Sequence, residues 1–128
     1  MASFRGQWEL RGTGQWAVEV AESGEFIGRA GLHWPEREGW PGVECGWVLH
    51  PRHWGKGYAT EAGRAAMHYA FDEVGVDEVF SLILPANAAS QNVARRLGFT
   101  LRDERVLPFF PSHAHGIWSR RRGDPSPT

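Results

Sequence analysis

The stretch Trp54-Gly55-Lys56-Gly57-Tyr58-Ala59-Thr60-Glu61-Ala62 joins a strand-like run, residues 43–49, to a long alanine-rich helical run, residues 58–71. A strand, a glycine-flanked turn and a helix in that order make a phosphate-binding junction. Glycines let the backbone approach an anion closely, and the helix's first-turn N–H groups point at it with the positive end of the helix dipole behind them. Lys56 is the chain's only lysine, against thirteen arginines elsewhere. It reads either as a point-charge donor to a pyrophosphate or ribose phosphate, or as a solvent-facing loop residue.

Two common nucleotide loops are excluded by their spacing. The third glycine of a dinucleotide fingerprint would fall at Thr60, and no acidic ribose-binding residue ends a following strand at the right remove. A phosphate loop of the Walker A type needs glycine where His50 stands and serine or threonine where Gly57 stands.

Composition narrows the class further. At 128 residues, 41% hydrophobic and 23% charged, the chain is one ordinary globular domain. A formal net charge of -1 supplies no field to recruit nucleic acid or an anionic membrane, and the Arg120-Arg121-Arg122 run reads as a solvated strand end. Cys45 is the only cysteine, which rules out an intrachain disulfide and suits a reducing, cytoplasmic setting. No apolar run approaches the roughly 20 residues of a membrane helix, and no signal-peptide pattern is evident. Of the seven tryptophans, Trp16, Trp34, Trp47 and Trp118 fall on strands or strand ends and read as core fillers.

Along the chain, Trp16, Val18 and Val20 alternate with Ala17 and Glu19 in a half-buried strand, residues 15–21. The turn Glu22-Ser23-Gly24 leads into a second strand at hairpin spacing, residues 25–34, and a Pro- and Gly-rich loop leads into the third, residues 43–49. Gly46 inside that strand marks a bulge or a close approach by a backbone or ligand. In the helix, Ala62, Ala65, Ala66, Tyr69 and Ala70 form an apolar stripe opposite Glu61, Arg64, His68 and Asp72. Gly75 stops it, and a nearly all-apolar fourth strand, residues 78–84, reads as central and parallel to the third by a right-handed crossover. Asn87 caps a short helix that Gly98 ends. Strands at residues 99–106 and 115–121 follow, separated by a loop at residues 107–114. The domain is thus expected at residues 15–122, after a poorly defined segment 1–14 and before a disordered Pro- and Ser-rich tail, 123–128.

The ordered pair of motifs, Trp54-Gly55-Lys56-Gly57-Tyr58-Ala59 and then Asn87-Ala88-Ala89-Ser90 with Leu97-Gly98-Phe99, resembles the GNAT acetyltransferase superfamily, especially its RimJ/RimL-like ribosomal-protein-alanine acetyltransferase branch. The likeness covers residues 15–120. It implies an α/β (α+β) GNAT-like acyl-CoA N-acyltransferase fold: a mixed, mostly antiparallel central sheet of about six strands with a parallel splayed central pair and two main helices. It also implies acetyl-CoA as cosubstrate, its pantetheine arm inserted between the splayed strands. The pyrophosphate would rest on backbone N–H groups of Gly55, Lys56, Gly57, Tyr58 and Ala59, with Trp54 on the rim, and Asn87 would contact the pantetheine. The family's Gln or Arg at the start of the loop is Trp54 here, which reshapes the rim while the main-chain donors stay.

Acetyl transfer to an amine requires a neutral nucleophile, a stabilised oxyanion and a proton for the leaving thiolate. The resemblance implies Glu44 as the base, directly or through water, against the alternative of an ordinary strand glutamate. Strand N–H groups around Trp47, Val48 and Leu49 would meet the oxyanion. The tyrosine that many relatives carry four residues before the glycine of the Leu-Gly-Phe end is Ala94 here. In the RimL-like branch the serine of the N-x-x-S motif takes the acid's role, and Ser90 matches it; a helix-capping serine is the alternative. His33 is a second candidate base. His113 and His115 alternate like metal ligands but lack a third, so no metal is expected, and Cys45 reads as core.

The resemblance also implies a strand and two helices ahead of the first hairpin, where this sequence has only residues 1–14. A fragment or late start, a homodimeric partner covering the gap, and a decayed CoA-binding module are the three readings. The sequence thus points to an acetyl-CoA-dependent N-acetyltransferase acting on a protein N-terminal or small-molecule amine, with a non-catalytic CoA-binding or interaction module as the alternative.

Overall fold

The computed structural model describes residues 2–6, 15–33, 42–108 and 110–125. Among them are seven strands and two α-helices in the order β1 (Ala2–Gly6), β2 (Gln15–Val20), β3 (Phe26–His33), β4 (Glu44–Leu49), α1 (Tyr58–Tyr69), β5 (Glu78–Ile83), α2 (Ala88–Arg96), β6 (Thr100–Leu107) and β7 (Phe110–Arg121). All seven strands form one sheet in the order β1-β2-β3-β4-β5-β7-β6. Every neighbouring pair is antiparallel except β4–β5, the parallel pair expected from the α1 crossover.

The sheet has one strand more than the six expected, because residues 2–6 pair along β2 from Ala2↔Val20 to Gly6↔Trp16. Ala2 and Phe4 alternate with Ser3 and Arg5, a period-2 signal only four residues long that the partner strand makes decisive. Residues 107–114, expected as a loop, are mostly strand: β6 and β7 form a long hairpin with Val106 opposite Ala114 and Leu107 opposite Phe110. Pro108 sits in its turn, and the register shifts between Val106 and Leu107 just before it. Trp34 lies outside the described residues.

The helices cover one face of the sheet. Leu32, Val43, Cys45, Val79, Ile83 and Trp118 meet Ala66, Met67 and Ala70 of the α1 segment and Ala94 and Leu97 at α2 in one core cluster. The buried stripe of α1 is Thr60, Ala62, Gly63, Ala66 and Met67, rotated from the alanine stripe that the sequence suggested. The rotation comes from α2: an added Cβ on Gly63 would lie 2.6 Å from Leu97 Cδ1, so the bare glycine faces α2 while Ala65 and Tyr69 move to the edge. Tyr69 there meets Trp16 edge-on, ring centroids 6.2 Å apart.

Terminal features hold the helices in place. A π-type turn, Ala70–Val74, runs from α1 into the stop at Gly75. After α2, Phe99 N donates to Ala94 O (2.9 Å) and Gly98 N to Arg95 O (3.0 Å), the paired closure of a Schellman end. The arginine run serves the packing: Arg120 donates to Leu97 O, Arg121 to Glu78, and Arg122 to Phe71 O and Val76 O. Asp124, in the expected disordered tail, continues this network. Asp124 Oδ2 accepts from Arg121 N at 2.9 Å and pairs with Arg102; residues 126–128 lie outside the described part.

Candidate functional site

The parallel pair β4–β5 starts as a ladder and then opens. Glu44↔Phe80 is its one registered pair, with Phe80 N donating to Val43 O at 2.8 Å. The next link is a side chain, since Leu82 N donates to Glu44 Oε2 at 2.9 Å. Beyond that bond, the β5-facing edge of β4 from Gly46 to Leu49 has no registered partner. The strands therefore splay where N–H groups at Trp47 to Leu49 were expected to be freed.

Two clefts meet across the opening. One, of about 400 Å³, is bordered by the loop and start of α1 (Gly55, Gly57, Tyr58 and Ala59, with Trp54 on the rim) and by α2. The other, of about 350 Å³, includes Arg29, Glu44, Gly46 and His115. Trp47, Val48, Asn87 and Ser90 border both, so the fork is a passage between them.

The loop has the conformation that an anion site needs. Gly55 and Gly57 adopt left-handed backbone angles (φ 76° and 82°), and Gly57 is the N-cap of α1 with no side-chain cap for the first-turn N–H groups. Nothing lies within 4 Å of a Cβ built on either glycine, so the cradle is open. Trp54, at the rim, anchors the loop by donating from Nε1 to Leu49 O at 2.9 Å. Lys56 is exposed and does not border this cleft.

Asn87 does cap α2, its Oδ1 accepting from Ser90 N at 3.1 Å. Asn87→Ala is expected to lower stability by about 1 kcal/mol, measured by chemical denaturation. Ser90 is half-buried at the passage. Asn87 is the cap and the Ser90 N–H the group it satisfies, while Ser90 also borders the two clefts.

Glu44 is the electrostatic centre. Burial raises its carboxyl to about 7, opposed by the hydrogen bond from Leu82 N. His33 pairs directly opposite on β3 and is exposed, while Cys45 points the other way into the core, its thiol pushed up to about 12 by burial and by Glu44. No group of three His, Cys, Asp or Glu among the described residues could hold a metal ion. No described helix is long and apolar enough to cross a membrane.

Two cleft residues escaped the sequence reading. Arg96 borders the phosphate-side cleft together with Ala89, Ser90, Asn92 and Val93, a three-to-four-residue spacing along one face of α2 that periodicity could have flagged. His53 is the other: buried, with Nε2 3.4 Å from Glu25 Oε2 and Nδ1 lacking a partner among the described residues. Glu25 also pairs with Arg52; its carboxyl is held below the usual range first by the hydrogen bond with His53, which burial opposes, and then by the Arg52 and His53 charges.

Known proteins share this architecture. The acetyltransferase from Agrobacterium tumefaciens strain C58 superposes with a TM-score of 0.72 at 33% identity, over 86% of this chain and 61% of that one. The ribosomal-protein-S5-alanine acetyltransferase of Vibrio fischeri gives 0.74 at 19% identity over 90% of this chain and 64% of that one, a likeness of fold. In sequence, the uncharacterized protein YkkB of Bacillus subtilis strain 168 is 39% identical over 87 residues, 68% of this chain and 51% of the relative. The chain thus spans about half the length of that curated relative. A family model described as an acetyltransferase (GNAT) domain matches residues 1–100, and with the splayed parallel pair and the glycine loop in place, the chain belongs to the GNAT acetyltransferase family.

Proposed function

We propose that the chain is an N-acetyltransferase that passes an acetyl group from acetyl-CoA directly to a primary amine. The observation that carries this reading is the passage at Trp47, Val48, Asn87 and Ser90, where a cleft floored by an uncapped helix start meets a cleft containing the half-buried Glu44 carboxyl. Backbone N–H groups of Gly55 to Ala59 hold the pyrophosphate, Arg96 adds a cation beside it, and the open fork of β4 and β5 takes the pantetheine arm with Asn87 at its edge. Glu44, poised near neutrality, takes the ammonium proton, directly or through water. An N–H group of Trp47 to Leu49 meets the oxyanion, and Ser90 supplies a proton to the departing thiolate. A thiol with a pKa of roughly 8.5 is already a tolerable leaving group, so a weak acid suffices there.

The acceptor is a protein N-terminal amine or a small-molecule amine; a RimJ/RimL-like preference rests on the Asn87–Ser90 motif. The single buried thiol suits a cytoplasmic setting.

Calorimetric titration of the 128-residue chain with acetyl-CoA tests the reading, followed by an amine and peptide screen for thiol release. Micromolar saturable binding is expected, weakened about tenfold or more in Arg96→Ala. Parallel titration with dephospho-CoA reports whether Arg96 or Lys56 reads the ribose phosphate. Binding without turnover on any amine would leave the CoA-binding module, and no binding by folded protein would remove both readings.

A further inference from the structure

The face of the sheet opposite the helices carries a built arrangement around the Glu44 cleft. In the β3–β4 register, His33 stands opposite Glu44, Gly31 opposite Gly46, and Arg29 opposite Val48. Directly opposed residues project to the same face, so Arg29 and Glu44 flank a bare glycine pair. A Cβ built on Gly46 meets nothing within 4 Å, which leaves the space over Gly46 open, while Gly31 beside it is buried. Four residues separate Glu44 from Val48, about 13 Å of strand at about 3.3 Å per residue, less the reach of the two side chains.

The charges in this cleft are separated. Arg29 and Glu44 both border it, with His115 as the other titratable side chain among the described residues. The Arg29 guanidinium makes no hydrogen bond or ion pair with a described residue. The influences on the Glu44 carboxyl are burial and the Leu82 N–H, with no cation among them. Arg29 is therefore not Glu44's counter-ion. Among the described residues bordering the cleft, a polyamine would find no second carboxylate to hold its remaining ammonium groups and would bring them toward a cation, whereas an anionic group would meet an arginine able to bind a carboxylate by two parallel hydrogen bonds.

We propose that the acceptor is an amine that also carries a carboxylate, with Arg29 binding the carboxylate while Glu44 serves the amine across Gly46. This rests on the acetyltransferase reading above. Arg29 sets which amine is used and does not touch the reacting atoms.

Three five-carbon amines separate the cases: n-pentylamine, 5-aminopentanoate and 1,5-diaminopentane, each assayed for thiol release from acetyl-CoA by the wild-type protein, Arg29→Gln and Arg29→Lys. For the wild type, kcat/KM for 5-aminopentanoate is expected to exceed that for n-pentylamine by about tenfold or more, with the diamine lowest. In Arg29→Gln the ratio of 5-aminopentanoate to n-pentylamine falls toward one, and Arg29→Lys keeps part of it. Equal or better use of the diamine, or a ratio unchanged in Arg29→Gln, overturns the carboxylate assignment while leaving acetyl transfer standing. Absence of thiol release with all three from protein that binds acetyl-CoA overturns the transferase reading, and this inference with it.

Discussion

Glu44→Gln is expected to lower turnover by about 10²- to 10⁴-fold while acetyl-CoA affinity, measured by calorimetry, stays within about twofold. The glutamine keeps an oxygen to accept from Leu82 N, so the link between β4 and β5 survives and only the proton acceptor is lost. Glu44→Ala loses both, and comparing the two variants separates a base from a structural bridge. The wild-type kcat/KM should rise with pH to a plateau through a limb centred near 7, the value to which burial raises this carboxyl, and Glu44→Gln should lack that limb. Stability moves the other way. Because the folded-state value is raised above the ordinary 4.5, the native state holds the proton between about pH 4.5 and 7 after the unfolded chain has released it. Glu44's contribution is therefore fully present below pH 4.5 and is lost as pH rises through 7, a change on the order of 3 kcal/mol. Denaturant titrations at pH 5.5 and 8.5 should show a smaller loss for Glu44→Gln than for the wild type. Equal turnover of the variant and the wild type would remove Glu44 from the chemistry.

Gly28→Ala is expected to be the most damaging small substitution in the sheet. Gly28 pairs with Leu49 at φ 154°, and an added Cβ would lie 2.1 Å from Val48 O and 2.8 Å from Leu49 Cα. Those contacts are backbone, so a rotamer change cannot relieve them; β4 itself must move. Overpacking with backbone displacement, added to a positive φ, costs about 3 kcal/mol or more, a large share of the roughly 5–15 kcal/mol that stabilises a domain. The displaced segment is also the one that borders both clefts, so acetyl-CoA binding should weaken even where the variant folds. Gly46→Ala is the matched control on the neighbouring strand: its Cβ projects into open space, and a stability change below about 1 kcal/mol is expected. Similar midpoints for the two variants in urea would refute the steric argument.

Local signals carried much of the fold. The Gly55–Gly57 turn, the crossover helix and the stops at Gly75 and Gly98 are encoded by residues within a turn or two of where they act. Pairings between distant segments were harder to see. Nothing near Phe110 announces that it opposes Leu107, and the two prolines nearby argue locally for a loop; the hairpin forms because β7 has β5 on its other side. The site divides the same way. Glu44 and Ser90 stood out through their motifs, whereas the bond from Leu82 to Glu44 spans 38 residues and Arg96 joins the loop cleft only because α2 packs beside α1. Lys56, conspicuous as the one lysine, sits outside that cleft, because the turn that aims the backbone inward leaves this side chain in solvent.

The strand order has a consequence for how the chain is made. β1 to β4 form a meander of sequential neighbours and can pair as they leave the ribosome. β5 and β6 cannot complete the sheet in that way, because β7, the last of the described strands to be synthesised, lies between them. Until it arrives, one edge of β5 waits uncovered and β6 lacks its neighbour among the described strands. The second half of the sheet therefore closes in a single late step, and a nascent chain halted before Phe110 should be a far better chaperone substrate than one halted after Arg121.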